Sequence, residues 1–305
     1  MPSVLVTGAG RGIGLTITEH MSRKGWDVYA TARSAEALQR LDRLPNVHAI
    51  DLDITDRSAI AALPDQLPAE LNGVVNNAGI VVNGPVEGLS LDDLARQLDV
   101  NVISQIAVTQ AVLPKIRSAR GRIVFISSVS GLFTTPGTGA YNASKYAIES
   151  LADALRMELR PWHIPVSLVE PGPIRTDIWT GVLDEHDRMV EQLRDEHRRL
   201  YAPHLAGTRK LLARMQKLAA DPSKVSQAVD HALTSRRPKR RYLLDFASRA
   251  QKSVVAITPT AISDAVLAAA TTASRRTPAD RVVVHTSSAS QTTREVDGGG
   301  RPASG

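Results

Sequence analysis

The first fourteen residues constrain the fold most. Ser3-Val4-Leu5-Val6 is a short apolar run, and TGAGRGIG, Thr7 to Gly14, follows it at once. Such a run suits a strand buried on both faces of a parallel sheet. The glycines at 8, 12 and 14 allow a tight turn, close backbone approach to a phosphate, and close packing of strand on helix. The helix predicted next points its N-terminal amides at an anion. Gly8, Arg11, Gly12, Ile13 and Gly14 are therefore candidates for holding a dinucleotide. On this segment alone, a glycine turn with no ligand remains the alternative.

The same rhythm recurs downstream. Trp26 to Thr31 alternates as a second strand and runs into Arg33. An acidic residue at such a strand end suits a ribose 2′-hydroxyl, whereas an arginine suits a 2′-phosphate. Arg33, with Arg11 as a second cation, thus favours NADP(H) over NAD(H); a solvated loop cation is the alternative. Val47 to Ile50 reads as a third strand, followed by Asp53, a candidate for the adenine amino group or a helix cap. Pro64 and Pro68 keep any helix between 54 and 72 short. Val74-Val75 leads into Asn76-Asn77-Ala78-Gly79.

From Leu91 to Arg117 apolar residues recur at helical spacing, which predicts one helix. Asn101 inside it is a poor helix former and requires a reason. Gly121 to Ile126 is a strand ending in Ser127-Ser128. Tyr141 and Lys145, in YNASK, stand four apart at the start of a helix predicted over 142–160, so both reach one small site. A lysine beside a phenol lowers its pKa, and the pair can move a proton. Val166 to Val169 is a sixth strand, closed by Glu170-Pro171-Gly172. Strands alternating with helices give an α/β fold, a Rossmann-type doubly wound parallel sheet. Gly8, Arg33, Asp53, Asn76, Ser128 and Pro171 all follow strand ends and are expected in one crevice.

Composition narrows the function. The 305 residues carry a net charge of +6, but aromatics are 4%, too few for a base-stacking nucleic-acid surface. No apolar run is long enough to span a membrane and no signal peptide opens the chain, which leads us to expect a cytoplasmic protein. With no cysteine, thiolate chemistry is excluded. The scattered histidines show no convincing metal-ligand cluster, and no metal is expected.

Taken together, TGAGRGIG, Asp51-Leu-Asp53, NNAG at 76–79, Asn101, Ser128, Tyr141, Lys145 and PGPIRT at 171–176 resemble the short-chain dehydrogenase/reductase family over about residues 3–180. The resemblance implies an NAD(P)-dependent oxidoreductase acting on an alcohol/carbonyl pair. Tyr141 would be the general acid or base. Lys145 would lower its pKa and bind the nicotinamide ribose. Ser128 would polarise the carbonyl, and Asn101 would hold a water linking Lys145 to solvent. Asn77, Ala78, Gly79, Pro171, Gly172 and Thr176 would complete the cofactor site, with Thr176 on the carboxamide. A homodimer or homotetramer through the helices at 91–117 and 142–160 is implied by the same analogy.

The remaining chain is less informative. Residues 177–218 are strongly charged, with Met189, Val190, Leu193, Leu200 and Tyr201 as one apolar face. We expect a helical lid over an apolar substrate pocket; a plain surface helix is the alternative. Leu132, Phe133, Trp179 and Val182 are candidate pocket walls. Arg236 to Arg241 is a basic loop before a last strand, 242–244. Residues 246–270 resemble the terminal helices of steroid- and retinol-dehydrogenase-like members, although Asp245 replaces the usual glycine. One domain is expected over 1–270 and a disordered tail over 271–305, where Ser, Thr, Gly, Arg and Pro dominate. The sequence reading is thus a hydrophobic secondary alcohol or ketone as substrate, with NADP(H) preferred. An NAD-dependent alcohol dehydrogenase and a non-catalytic dinucleotide sensor are the alternatives.

Overall fold

The computed structural model describes residues 1–175, 181–244 and 258–271. The period of two along its strands assigns side chains to two cores. In β1 (Ser3–Val6), Val4 and Val6 join one cluster of buried residues and Leu5 the other. In β4 (Gly73–Asn76), Val75 and Val74 divide in the same way. In β5 (Arg122–Ile126), Val124 and Ile126 face one core and Ile123 and Phe125 the other. Burial on both faces explains why these segments read as apolar runs.

With β2 (Asp27–Ala32), β3 (Val47–Asp51), β6 (Val166–Glu170) and β7 (Arg241–Leu243), the described residues form one parallel sheet ordered β3-β2-β1-β4-β5-β6-β7. The order reverses between β1 and β4, so a crevice opens beyond the carboxyl ends of those strands. The expected doubly wound sheet is the observed one.

The helices in chain order begin with α1 (Gly12–Arg23), α2 (Ala35–Asp42), α3 (Arg57–Ala62), α4 (Leu91–Leu98), α5 (Ser104–Ala119) and α6 (Gly139–Glu158). There follow α7 (Val182–Gln192), α8 (Asp195–Leu200), α9 (Ala202–Leu218), α10 (Ser223–Thr234) and α11 (Thr260–Thr271). One sheet face is covered through Ile17, Met21, Leu41, Val225, Val229 and Leu233. The other is covered through Ile60, Val108, Val112, Ile116, Ile148 and Ala152.

Three sequence expectations need correction. The helix predicted over 91–117 is two helices joined by a π-helical turn at Asp99–Ile103, with Asn101 at its centre. The helix carrying Tyr141 starts at Gly139 rather than 142, which puts Tyr141 inside the first turn. Leu200 is 61% exposed and does not belong to the buried face of the 182–218 segment, where His186 and His197 are buried instead. Among the described residues no helix is long and apolar enough to cross a membrane. Thr176, Trp179, Asp245, residues 246–257 of the expected terminal helices and the tail beyond Thr271 lie outside the described residues.

Candidate active site

The glycine turn is built against the turn after β4. Gly8 has a φ of +66°, and a Cβ there would lie 2.8 Å from the Ala78 Cα. A Cβ on Gly14 would meet the Gly8 carbonyl oxygen at 2.2 Å and the Asn77 amide nitrogen at 2.5 Å. Only glycine permits this approach. The Thr7 hydroxyl accepts from the backbone N–H groups of Asn77 and Ala78 at 3.0 and 3.1 Å. The Asn77 amide donates back to the Thr7 and Gly8 carbonyls at 2.9 and 3.1 Å. Gly12, at the start of α1, also has a positive φ of +57°. Ile13 packs on the core beside the turn. Arg11 is exposed at the N-terminus of α1.

At the ends of β2 and β3, the Arg33 guanidinium lies 3.4 Å from the Asp53 carboxylate, and the Arg33 side chain is 71% exposed. The Asp53 carboxyl is held below its usual range, first by the Thr55 backbone N–H and then by the Thr55 hydroxyl and Arg33. Arg40 donates to the Gly10 carbonyl and adds a third cation near Arg11 and the glycine turn, one that sequence reading missed. Asn76 does not face the crevice. It is fully buried and its amide donates to Thr109 of α5 at 2.9 Å.

Three buried amides, Gln97, Asn101 and Gln105, fasten the chain leaving β4. Gln105 donates to the Ala78 carbonyl at 2.7 Å. Asn101 donates to the Ile80 carbonyl at 3.0 Å and accepts from the Ile80 N–H at 2.8 Å. Gln97 donates to the same carbonyl at 3.0 Å and accepts from the Val82 N–H at 2.6 Å. Four residues of helix and two of extended chain both advance roughly 6 to 7 Å, so the two registers can match. Gln97 and Gln105 were missed in the sequence. Their signal was present as amides four residues either side of Asn101.

The ladder reaches α6 through Ser144. Asn101 donates to the Ser144 hydroxyl at 3.1 Å, and that hydroxyl donates to the Tyr141 carbonyl at 2.7 Å. Asn142 pins the preceding loop by donating to the Ser130 and Phe133 carbonyls, both at 2.8 Å. In YNASK, then, Asn142 and Ser144 anchor the helix while Tyr141 and Lys145 turn to the site.

Ser128 and Pro171 meet there too. The Ser128 hydroxyl is 3.4 Å from the Pro171 carbonyl and accepts from the Ser130 N–H at 3.1 Å. The Lys145 ammonium donates to the Ile126 carbonyl at 2.8 Å and lies 5.6 Å from the centre of the Tyr141 ring. Burial pulls the Lys145 pKa down to about 8, partly opposed by Glu149. Burial raises the Tyr141 pKa, only partly offset by Ser128. This reverses the expected direction for Tyr141. Desolvation of the phenolate outweighs its neighbours, and the phenol is held protonated.

The described residues thus bring together Gly8, Gly14, Asn77, Ala78 and Gly79 at one turn, with Asn101 close to Gly79: a Cβ on that glycine would lie 3.2 Å from the Asn101 side-chain oxygen. They bring Ser128, Tyr141, Lys145 and Pro171 together at the next, with Gly172 following Pro171 in the loop after β6. Beneath α7 and α9 lies a cavity of about 220 Å³; Leu132, Phe133 and Val182 are not in its wall, where Val86, Met189, Leu205 and Leu212 stand instead. A larger open groove of about 670 Å³, beside Arg156, Arg160, Pro165 and Arg240, precedes β6 and so opens at the opposite end of the sheet.

A family profile described as short chain dehydrogenase matches residues 2–187. The chain belongs to this family. As a short-chain dehydrogenase it is an oxidoreductase. It is 36% identical to the uncharacterized oxidoreductase YbbO of Escherichia coli over 87% of this chain and 93% of that protein. It is 34% identical to retinol dehydrogenase 16 of Rattus norvegicus over 86% of each. The solved structure of a short-chain dehydrogenase/reductase from Burkholderia phymatum in complex with NAD superposes with a TM-score of 0.69 at 25% identity, covering 87% of this chain and 94% of that one.

Proposed function

We propose that this short-chain dehydrogenase transfers a hydride between NADP(H) and a hydrophobic secondary alcohol or ketone. The observation that carries this reading is the meeting of Tyr141 and Lys145 beside Ser128: the Lys145 ammonium lies 5.6 Å from the centre of the Tyr141 ring, and Ser128 is near enough to the phenol to oppose the upward push of burial on its pKa. The residues fit the dinucleotide. At Gly8 and Gly14 the backbone comes close enough to refuse a Cβ, and α1 begins between them, at Gly12. Gly8, Gly12, Asn77, Ala78, Gly79, Pro171 and Gly172 would line its path, with Lys145 on its ribose; Thr176 is assigned to it by resemblance alone. The cofactor supplies the hydride, and the protein supplies position and electrostatics.

In the reducing direction a substrate carbonyl oxygen gains negative charge. The Ser128 and Tyr141 hydroxyls donate to it, and the Tyr141 proton completes the alcohol. A phenol held protonated suits that donor role. Replenishing its proton falls to Lys145. Both N–H groups of the Asn101 amide are engaged, so a water relay past Asn101 has to use its backbone or the second lone pair of its oxygen. Tyr141→Phe tests the assignment. NADPH binding, followed by nicotinamide fluorescence, is expected to persist while ketone turnover falls by about 10² to 10⁴. Unchanged turnover would remove Tyr141 from the chemistry.

Arg33 and Arg11 support the preference for NADP(H). Arg33 is largely exposed and free to turn from Asp53 to a 2′-phosphate. The second reading, NAD(H), draws on Asp53 beside that position and on the Burkholderia relative that holds NAD. Arg33→Asp is expected to move the NADPH-to-NADH ratio of kcat/KM toward NADH by roughly tenfold or more, one charge-assisted contact. An unmoved ratio would favour the second reading. We also propose a homo-oligomer through the faces of α5 and α6 and the turn before them, where Ile103, Tyr146, Leu151 and Met157 are exposed.

A further inference from the structure

Two charged side chains of α6 are buried one turn apart. Lys145 is 5% exposed and Glu149 is 6% exposed. Residues at i and i+4 share a helix face, with Cβ atoms roughly 5 to 6 Å apart. Burial strengthens the attraction between opposite charges at that spacing. The Lys145 ammonium donates to a neutral group, the Ile126 carbonyl, at 2.8 Å, so that bond does not balance its charge.

The Glu149 carboxylate is held from its far side. Arg241, the first residue of β7, donates to its Oε2 at 3.0 Å. The same guanidinium lies 2.7 Å from Asp153 and 3.0 Å from Glu170, so it divides its charge among three carboxylates. The Glu149 Oε1 is buried and has no hydrogen-bond partner. A bare carboxylate oxygen in an interior is costly and calls for a reason. One turn toward the start of the helix stands Lys145.

The turn bearing Ser128 is seated on the same pair. A Cβ on Gly131 would lie 3.0 Å from the Glu149 Cγ and 3.2 Å from the Lys145 carbonyl oxygen. The Gly131 N–H donates to the Ser128 carbonyl at 2.9 Å. Around Lys145 the titratable or charged groups are Tyr141, Glu149 and Asp153 on α6, Glu170 on β6 and Arg241 on β7. Asp153 is two turns away and pairs with Arg156 at 2.8 Å as well as with Arg241. Glu149 is the group whose charge favours the Lys145 ammonium.

We propose that Glu149 is a positioning residue: its carboxylate keeps Lys145 in the ammonium form, and Arg241 holds that carboxylate in place. This deepens the oxidoreductase reading and rests on it. In the reducing direction Tyr141 gives its proton to the substrate oxygen. A proton then passes from the Lys145 Nζ to the phenolate oxygen, leaving a neutral amine that solvent reprotonates. Glu149 and Arg241 extend that supply from α6 to the edge strand β7.

The test follows Lys145 by NMR of protein labelled with ¹³C-lysine, its signal assigned by its loss in Lys145→Met. Glu149→Gln removes the charge and keeps the shape. The Lys145 titration midpoint is expected to fall in it by about one pH unit or more. Glu149→Asp keeps the charge and is expected to stay within about half a unit of wild type. Arg241→Gln removes a cation instead, moves the midpoint upward, and carries the test if Glu149→Gln does not fold. In NADPH-dependent reduction of 2-octanone, the alkaline limb of kcat/KM moves to lower pH in Glu149→Gln. Loss of that charge eases deprotonation of Lys145 and Tyr141 alike, so both push the limb the same way. A midpoint unmoved in either charge-removing variant, or moved as far by Glu149→Asp as by Glu149→Gln, overturns the proposal whatever the variants do to Tm. A midpoint that moves as expected, in a protein that turns over no ketone, leaves the hold of Glu149 on Lys145 standing and sinks the hydride chemistry.

Discussion

The crevice at the glycine turn and the helices α7 to α9 are held by different kinds of contact. Around Thr7, Gly8, Gly14 and Asn77 the partners are backbone atoms and the shortest polar side chains, at distances a methyl group would break. Over the lid the partners are long charged or aromatic side chains at the surface: Arg209 with Asp187, Arg198 with Asp195, Tyr201 with Glu87. Exposed pairs of this kind are weak and replaceable. A backbone-to-backbone fit tolerates few residue types. The first region is therefore tied to a narrow spelling, and the second can be rewritten to suit a substrate.

Three substitutions probe that contrast. Gly14→Ala is expected to have the largest effect. Its Cβ meets a backbone oxygen, at 2.2 Å, that no rotamer can move. A loss of about 2 kcal/mol or more of stability, read by urea unfolding, should accompany loss of NADPH fluorescence. A variant as stable as wild type would show the crevice to be as forgiving as the lid.

Lys145→Met tests the buried charge. The Lys145 pKa of about 8 lies below its ordinary 10.5. Between those values the folded chain binds fewer protons than the unfolded one, so this group makes stability rise with pH across that window. The Tm of wild type relative to Lys145→Met is therefore expected to climb from about pH 8 toward 10.5, and to be flat below 8. A constant difference across the window would mean that the ammonium is solvated.

Leu200→Ser should do least. At 61% exposure the change is expected to stay within about 0.5 kcal/mol by the same urea measurement. A larger loss would mean that the lid buries this face against something.

The same contrast explains what could be read from the sequence. The sheet was legible because each central strand is apolar on both faces and each crevice loop spells out its steric limits. That Ser128, Tyr141 and Lys145 belong together was legible only through the family resemblance, and the fold brings the three near one another. The π-helical turn was not, because Leu94, Leu98, Val102 and Ile106 keep a helical spacing whether or not one turn is wide. Nor was the direction of the Tyr141 shift, which depends on burial from several elements rather than on its lysine neighbour. Arg241 closes the basic loop in the sequence, where nothing shows what it meets. In the fold it is spent internally, within 3.0 Å of Glu149, Asp153 and Glu170. The histidines of the lid read as scattered, since only the folding of α7 against α9 puts His186 and His204 in one wall.

The wide turn at Asp99–Ile103 has a geometric consequence of its own. An α-helix over-rotates by about 40° with every four-residue step, so amides at 97, 101 and 105 would fan away from a straight edge. A π-helical turn takes up less rotation per residue, because each bond closes over one residue more. Inserted at the middle rung, it acts as a vernier that brings three rungs back into line. The stand-off between the strand carrying NNAG and the helix carrying Tyr141 is then calibrated by winding. Deleting a single residue other than Asn101 from 99–103 would leave every side chain of the candidate site in the sequence and put the site out of true.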